Sequence, residues 1–194
     1  MKTIVGFLSR KHGYGVLEEL IKSSEYQILK IFTHKLNPKS QDPSRSIRVD
    51  FLDFENLCIK NKIELESIDS QSIPINCPQC DFIIEVSWRY IIPKKITEKA
   101  MIQALGIHRG KLPNYAGAEP IKQALKNNDT EIVLTAHVLD DEIDAGKVIT
   151  EFSHSTNYDL TISFEENIQR LRNEITPLFS KIAFKSMKLL EKLN

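Results

Sequence analysis

Cysteine is scarce in these 194 residues, which hold only Cys58, Cys77 and Cys80. So few thiols exclude a disulfide framework and fit a reducing compartment. Cys77-Pro78-Gln79-Cys80 has the spacing of a zinc or redox pair, but a structural zinc site needs four ligands and no second such pair exists. Cys80 leads straight into the strand-like run Asp81-Phe82-Ile83-Ile84-Glu85-Val86-Ser87 and reads as a small buried residue. Net charge is missing as well. Lysine plus arginine equals aspartate plus glutamate, 26 each, so no global cationic field draws the chain to nucleic acid or to an acidic membrane. Long apolar runs are also lacking: none approaches the ~20 residues of a membrane helix, and the N-terminal run around Ile4 to Leu8 is short for a signal sequence. A cytoplasmic protein with a small-molecule partner, and without nucleic acid or membrane, is expected.

What the sequence does contain is alternation. With 41% hydrophobic residues, the chain can bury one sizeable core. Ile4 to Leu8 reads as a buried strand, followed by helical spacing at Val16, Leu17, Leu20 and Ile21. A second strand spans Ile28 to Thr33, and the polar stretch Lys39 to Arg45 reads as a loop. Helix resumes over Ile47 to Asn61, then come strands near Ile63 to Ile68, Phe82 to Val86, Met101 to Ile107 and Ile132 to Leu139. From Thr161 onward the pattern is helical, broken at Pro177. Such alternation predicts an α/β fold, an open, mostly parallel sheet with helices on both faces, because parallel crossovers generally need helices. Ligands of such sheets bind at the strand carboxyl ends.

Two segments fall where that edge is expected. His108 follows one strand run, and the acidic cluster Asp140, Asp141, Glu142 and Asp144 follows another. An acidic neighbour favours a charged imidazole. Charge runs are usually solvated faces, whereas Asp144, between Ile143 and Ala145-Gly146, is the carboxylate expected to point inward. Pro113 and Gly117 fix the segment after His108, and Pro120 opens a helix. Gly13-Tyr14-Gly15, with Lys11 and His12, reads first as a strand-to-helix turn and second as a phosphate loop.

The ordered set His108, Leu112-Pro113, Gly117, His137, Asp144 and Gly146 resembles the 10-formyltetrahydrofolate-dependent formyltransferase family. Ile31-Phe32-Thr33-His34 with Asn37-Pro38, and Ser87 to Pro93, resemble segments of its sugar N-formyltransferase branch. The resemblance implies a Rossmann-like formyltransferase catalytic domain over residues 1–155, with C-terminal helices over 156–194 packing on the same domain. It implies 10-formyltetrahydrofolate as co-substrate, without a metal, in a cleft between the segment after Ser87 and the loop Leu139 to Asp144. Arg89, Tyr90 and Ile91 would line the pterin pocket, with mainly backbone contacts from Leu139, Asp140 and Asp141. His108, made cationic by Asp144, would stabilise the developing oxyanion, and Asp144 would take a proton from the attacking amine.

The expected acceptor is a small-molecule amine, a nucleotide-linked amino sugar first. Glycinamide ribonucleotide is the runner-up, which suits the chain's length but not its altered loop Ser9-Arg10-Lys11-His12-Gly13-Tyr14-Gly15. Initiator methionyl-tRNA stands lower, for want of net positive charge and of that branch's extra C-terminal domain. Gly106 stands where the family pattern has asparagine, and losing one such oxyanion donor costs ~10²–10³ in rate. Lys111 and Asn114 are nearby candidates to replace it. The alternative is a non-catalytic folate- or nucleotide-binding module. The C-terminal helices leave a homodimer open, with a core role expected first.

Overall fold

The computed structural model describes residues 1–193, in two compact units, Met1–Ala104 and Leu105–Asn194. The first unit opens with β1 (Lys2–Leu8), α1 (Arg10–Lys22) and β2 (Tyr26–Thr33). It continues with α2 (Phe51–Asn61), β3 (Glu64–Ser67), β4 (Cys80–Val86) and the short α3 (Lys94–Thr97). β1 pairs in parallel with β2 on one side and β4 on the other, and β2 pairs in parallel with β3. A strand covered on both faces should be apolar throughout. Ile4, Val5, Phe7 and Leu8 of β1 are completely buried, and Phe7 stacks on Phe32 of β2 at 4.7 Å. The parallel strands bring their carboxyl ends to one edge, where the chain continues as Ser9, His34 and Ser87.

α1 begins earlier than expected. Gly13 and Gly15 lie inside the helix rather than in a turn, and the strand-to-helix change is made at Ser9. A Cβ at Gly13 would stand 3.0 Å from the Leu8 backbone, so glycine here lets the helix lie close over the end of β1.

β5 (Ala100–His108) carries the chain into the second unit, followed by α4 (Pro120–Lys126), β6 (Glu131–Val138), β7 (Val148–Ser155), α5 (Phe164–Ile175) and α6 (Leu178–Glu191). The predicted α/β class and mostly parallel pairing hold. In this unit, however, β6 runs antiparallel to both β5 and β7. The expectation of His108 and Asp144 at two parallel strand ends is therefore corrected. His108 lies opposite Thr135, and Asp144 comes back to it through the loop after β6. β7 was not expected. α6 packs on β6 and β7 through Phe179, Ile182, Ala183 and Met187, whose spacing forms one helical stripe. α5 packs on α4. Among the described residues, no helix is long and apolar enough to cross a membrane.

Candidate active site

The second unit brings His108 and Asp144 together. His108 Nδ1 lies 3.2 Å from Asp144 Oδ2, with side-chain exposures of 11% and 14%. Asp144 Oδ2 also accepts the Gly117 N–H at 2.9 Å. His108 Nε2 lies 2.6 Å from the Tyr115 carbonyl. Both imidazole nitrogens thus face acceptor oxygens, and only the imidazolium donates to both. The Nε2–H that would reach an oxyanion is already engaged by Tyr115.

The segment after His108 is held at several points. The Thr135 hydroxyl donates to the Gly110 carbonyl at 2.8 Å. The Tyr115 hydroxyl donates to Asp129 Oδ2 at 2.5 Å and accepts from Asn127 at 3.0 Å. The Leu112-Pro113 peptide is cis. Lys111 and Asn114, the side chains expected to replace the missing amide, help line a cavity of about 470 Å³ with Arg109, Tyr115 and Asp129. His108 and Asp144 are not among its walls.

Of the other expected contacts in this unit, Leu139 is half-buried while Asp140 and Asp141 are exposed. The Asp141 N–H is taken by the Asp140 side chain at 2.7 Å, which leaves fewer backbone donors for a ligand. Sequence reasoning placed His137 only as part of a pattern. The structure sets its Nε2 3.5 Å from Asp144 Oδ1, so one carboxylate stands between two imidazoles. A register shift between Ala136 and His137 in the β6–β7 ladder marks the place, a distortion that re-aims side chains.

Arg89, Tyr90 and Ile91 belong to the first unit. Arg89 donates to the Leu36 carbonyl at 2.9 Å, the Tyr90 hydroxyl donates to the Asp69 carbonyl at 2.9 Å, and Ile91 is exposed. Around them lies a polar cluster with little forewarning in sequence. Arg48 is fully buried, donates to Ser9 Oγ and to the His34 carbonyl, and forms a doubly hydrogen-bonded pair with Asp50. His34 stacks on Trp88 at 4.0 Å, donates from Nδ1 to the Ile68 carbonyl, and accepts the Arg89 N–H on Nε2 at 3.1 Å. Burial, opposed by the Ile68 bond and helped by Arg89 and Arg48, pushes the His34 pKa down to about 3. The three thiols are free and buried, and burial pushes Cys77 and Cys80 up to about 11 and 12, so they are poor nucleophiles. Among the described residues, no group of three or more His, Cys, Asp or Glu could hold a metal ion.

Comparison with known proteins adds a family. A family model described as formyl transferase matches residues 14–176. The methionyl-tRNA formyltransferase of Fusobacterium nucleatum subsp. nucleatum is 24% identical over 181 residues, 91% of this chain and 54% of its own. That of Nitratiruptor sp. is 35% identical over 98 residues, 50% of this chain and 32% of its own. The chain spans about half the length, or less, of these curated relatives. Among solved structures, glycinamide ribonucleotide transformylase 1 from Symbiobacterium toebii superposes with a TM-score of 0.71 at 14% identity, covering 96% of this chain and 85% of that one. Phosphoribosylglycinamide formyltransferase from Bacillus halodurans gives 0.68 at 16% identity, covering 100% and 96%. At such identities these two likenesses concern the fold.

Proposed function

Because this chain belongs to the formyl transferase family, we propose that it moves a formyl group from 10-formyltetrahydrofolate to an amine. The observation that carries the reading is the contact of His108 with Asp144 at 3.2 Å, between residues that fall in the family's order. The donor set suits the chemistry. Attack by a neutral amine on a formyl carbon releases one proton and builds negative charge on the formyl oxygen. Asp144 takes the proton. His108 supplies the positive donor for the oxygen once its Nε2–H turns from the Tyr115 carbonyl, 2.6 Å away, to the substrate. Formyl transfer of this kind needs no metal. Arg89, Tyr90 and Ile91 are proposed for the pterin end, and Leu139, Asp140 and Asp141 for the remaining contacts. Residues 1–155 are proposed as the catalytic part.

A nucleotide-linked amino sugar is the acceptor proposed first. The two sugar-branch segments support it by meeting in the first unit, where His34 stacks on Trp88 and bonds the Arg89 backbone. Methionyl-tRNA is the second reading, favoured by what the curated relatives are named for. The test supplies purified protein with 10-formyltetrahydrofolate and, separately, amino-sugar nucleotides, glycinamide ribonucleotide and methionyl-tRNA, and follows tetrahydrofolate release. Release should depend on one acceptor class and fall by 10² or more, the usual weight of positioned proton transfer, in His108→Ala and Asp144→Asn. Folate binding without release under every acceptor would leave the binding-module alternative in its place.

A further inference from the structure

His137 is a buried imidazole that the chemistry above does not use. It lies on β6 directly opposite Gly106 of β5, with 4% of its side chain exposed. Its Nδ1 is 2.9 Å from the Val138 carbonyl. A carbonyl only accepts, so the ring hydrogen sits on Nδ1. Burial disfavours a second proton, and His108 adds to that, while the Val138 bond and Asp144 oppose it. Asp144 and His108 are the titratable groups that act on the ring. The resting ring is therefore neutral, with its lone pair on Nε2.

His34 shows what such a ring ordinarily receives. It too donates from Nδ1 to a carbonyl, and its Nε2 lone pair is met by a backbone N–H from Arg89. His137 Nε2 meets no donor. It is buried without a hydrogen-bond partner, and the group across from it, at 3.5 Å, is the carboxylate oxygen Asp144 Oδ1. Two acceptors face one another, and an unsatisfied buried acceptor is destabilising because its lost hydration is not replaced. A proton between them would turn that opposition into a charge-assisted hydrogen bond.

We infer that His137 is the proton store of the site: it receives on Nε2, through Asp144 Oδ1, the proton released by the attacking amine. The inference rests on the formyl-transfer reading. In the forward step the amine nitrogen bonds to the formyl carbon and gives one proton to Asp144, which passes it to His137. The bond from the formyl carbon to N10 then breaks with its electron pair, and the same proton returns through Asp144 to N10 of tetrahydrofolate. One proton leaves one nitrogen and reaches another, and nothing is oxidised or reduced. His108 remains a donor to the other oxygen, so Asp144 bridges two imidazoles of which only His137 changes state. His137 is a positioning residue, acting through Asp144.

The first test needs no turnover. Long-range proton–nitrogen correlation on the ¹⁵N-labelled full chain at neutral pH should show His137 neutral, protonated on Nδ1, with a lone-pair shift at Nε2. In Asp144→Asn, an amide N–H can reach that nitrogen, and its shift should move toward the hydrogen-bonded range. A hydrogen on Nε2 of the resting wild-type ring would overturn the inference. The second test is kinetic. His137→Gln, with His137→Asn as a parallel variant, should lower kcat by about 10². KM for the folate donor should stay unchanged, and the low-pH limb of the rate profile should move. Unchanged kcat and profile in either folded variant would remove the proton store. If wild-type protein shows the expected tautomer but no formyl transfer to any acceptor, the transfer reading fails and the relay with it, while the described protonation of His137 stands.

Discussion

A Cβ at Gly146 would stand 1.8 Å from the Val138 carbonyl oxygen, far inside van der Waals contact and against backbone that no side-chain rotation can move. Glycine there lets the loop close back on β6, where the Val138 N–H donates to the Lys147 carbonyl at 2.9 Å. The same return delivers Asp144, at a φ of 54°, to its two histidines. Aspartate and asparagine tolerate this left-handed backbone better than most residues, which makes Asp144→Asn a probe of charge with little added strain. Gly146→Ala is different. Overpacking of well-filled sites usually costs about 1–3 kcal/mol, and a backbone clash lies at or above the top of that range. Chemical denaturation should show a loss of at least about 3 kcal/mol or no folded protein, whereas a variant within about 0.5 kcal/mol of wild type would mean the loop closes otherwise. At this scale the pairing of His108 with Asp144 was legible. His108 and Asp144 stood out because an imidazole and an acid flank turn-forming glycine and proline. The Tyr115 carbonyl left no trace, since any residue supplies one. Arg48 left none either, because burial of an arginine is decided by partners remote in sequence.

Among the elements, period and polarity were readable while direction was not. A buried strand has the same alternation whether its neighbour runs with it or against it, so Met101–Ile107 and Ile132–Leu139 gave no sign that β5 and β6 are antiparallel. β7 escaped notice because its residues alternate between half-buried and exposed and include Glu151, Ser153 and His154, leaving only Val148, Ile149 and Phe152 as apolar signal. The break between α5 and α6 was clear from Pro177. The start of α5 carries a further device. Ser163 accepts the Glu166 N–H at 3.2 Å, and the Glu166 carboxylate accepts the Ser163 N–H at 2.8 Å, a reciprocal capping box that satisfies two end donors. These bonds also hold the Glu166 carboxyl below its ordinary range. Ser163→Ala should cost about 1 kcal/mol of unfolding free energy, since the loss is confined to one helix end. Hydrogen exchange should quicken chiefly at the first amides of α5. No change there would show that α5 is held by its buried Ile168, Leu171 and Ile175 alone.

For the whole chain, equal numbers of acidic and basic side chains leave little net charge near neutrality, so acid instability has to come from particular groups. His34 is the clearest. Its ordinary value of 6.5 falls to about 3 in the folded protein, where both nitrogens are already satisfied by Ile68 and Arg89. Below pH 6.5 the unfolded chain binds a proton at this position that the folded chain refuses until about pH 3. Stability therefore falls as pH drops through that window, by up to about 1.4 kcal/mol per unit, and nothing is lost above it. His137, whose value is also lowered by burial, adds in the same direction. His34→Gln offers a separation, because an amide side chain can still donate to one carbonyl and accept from one N–H without titrating. Urea unfolding at pH 7.5 and pH 5.5 should show wild type losing about 1 kcal/mol more than the variant over this interval. Overall charging on acidification is nearly common to both proteins and cancels in the comparison. Parallel losses in the two would mean that His34 takes up its proton while folded. The stacked Trp88 ring and the neighbouring Arg48 and Arg89 guanidiniums would then be tolerating a cation that their geometry argues against.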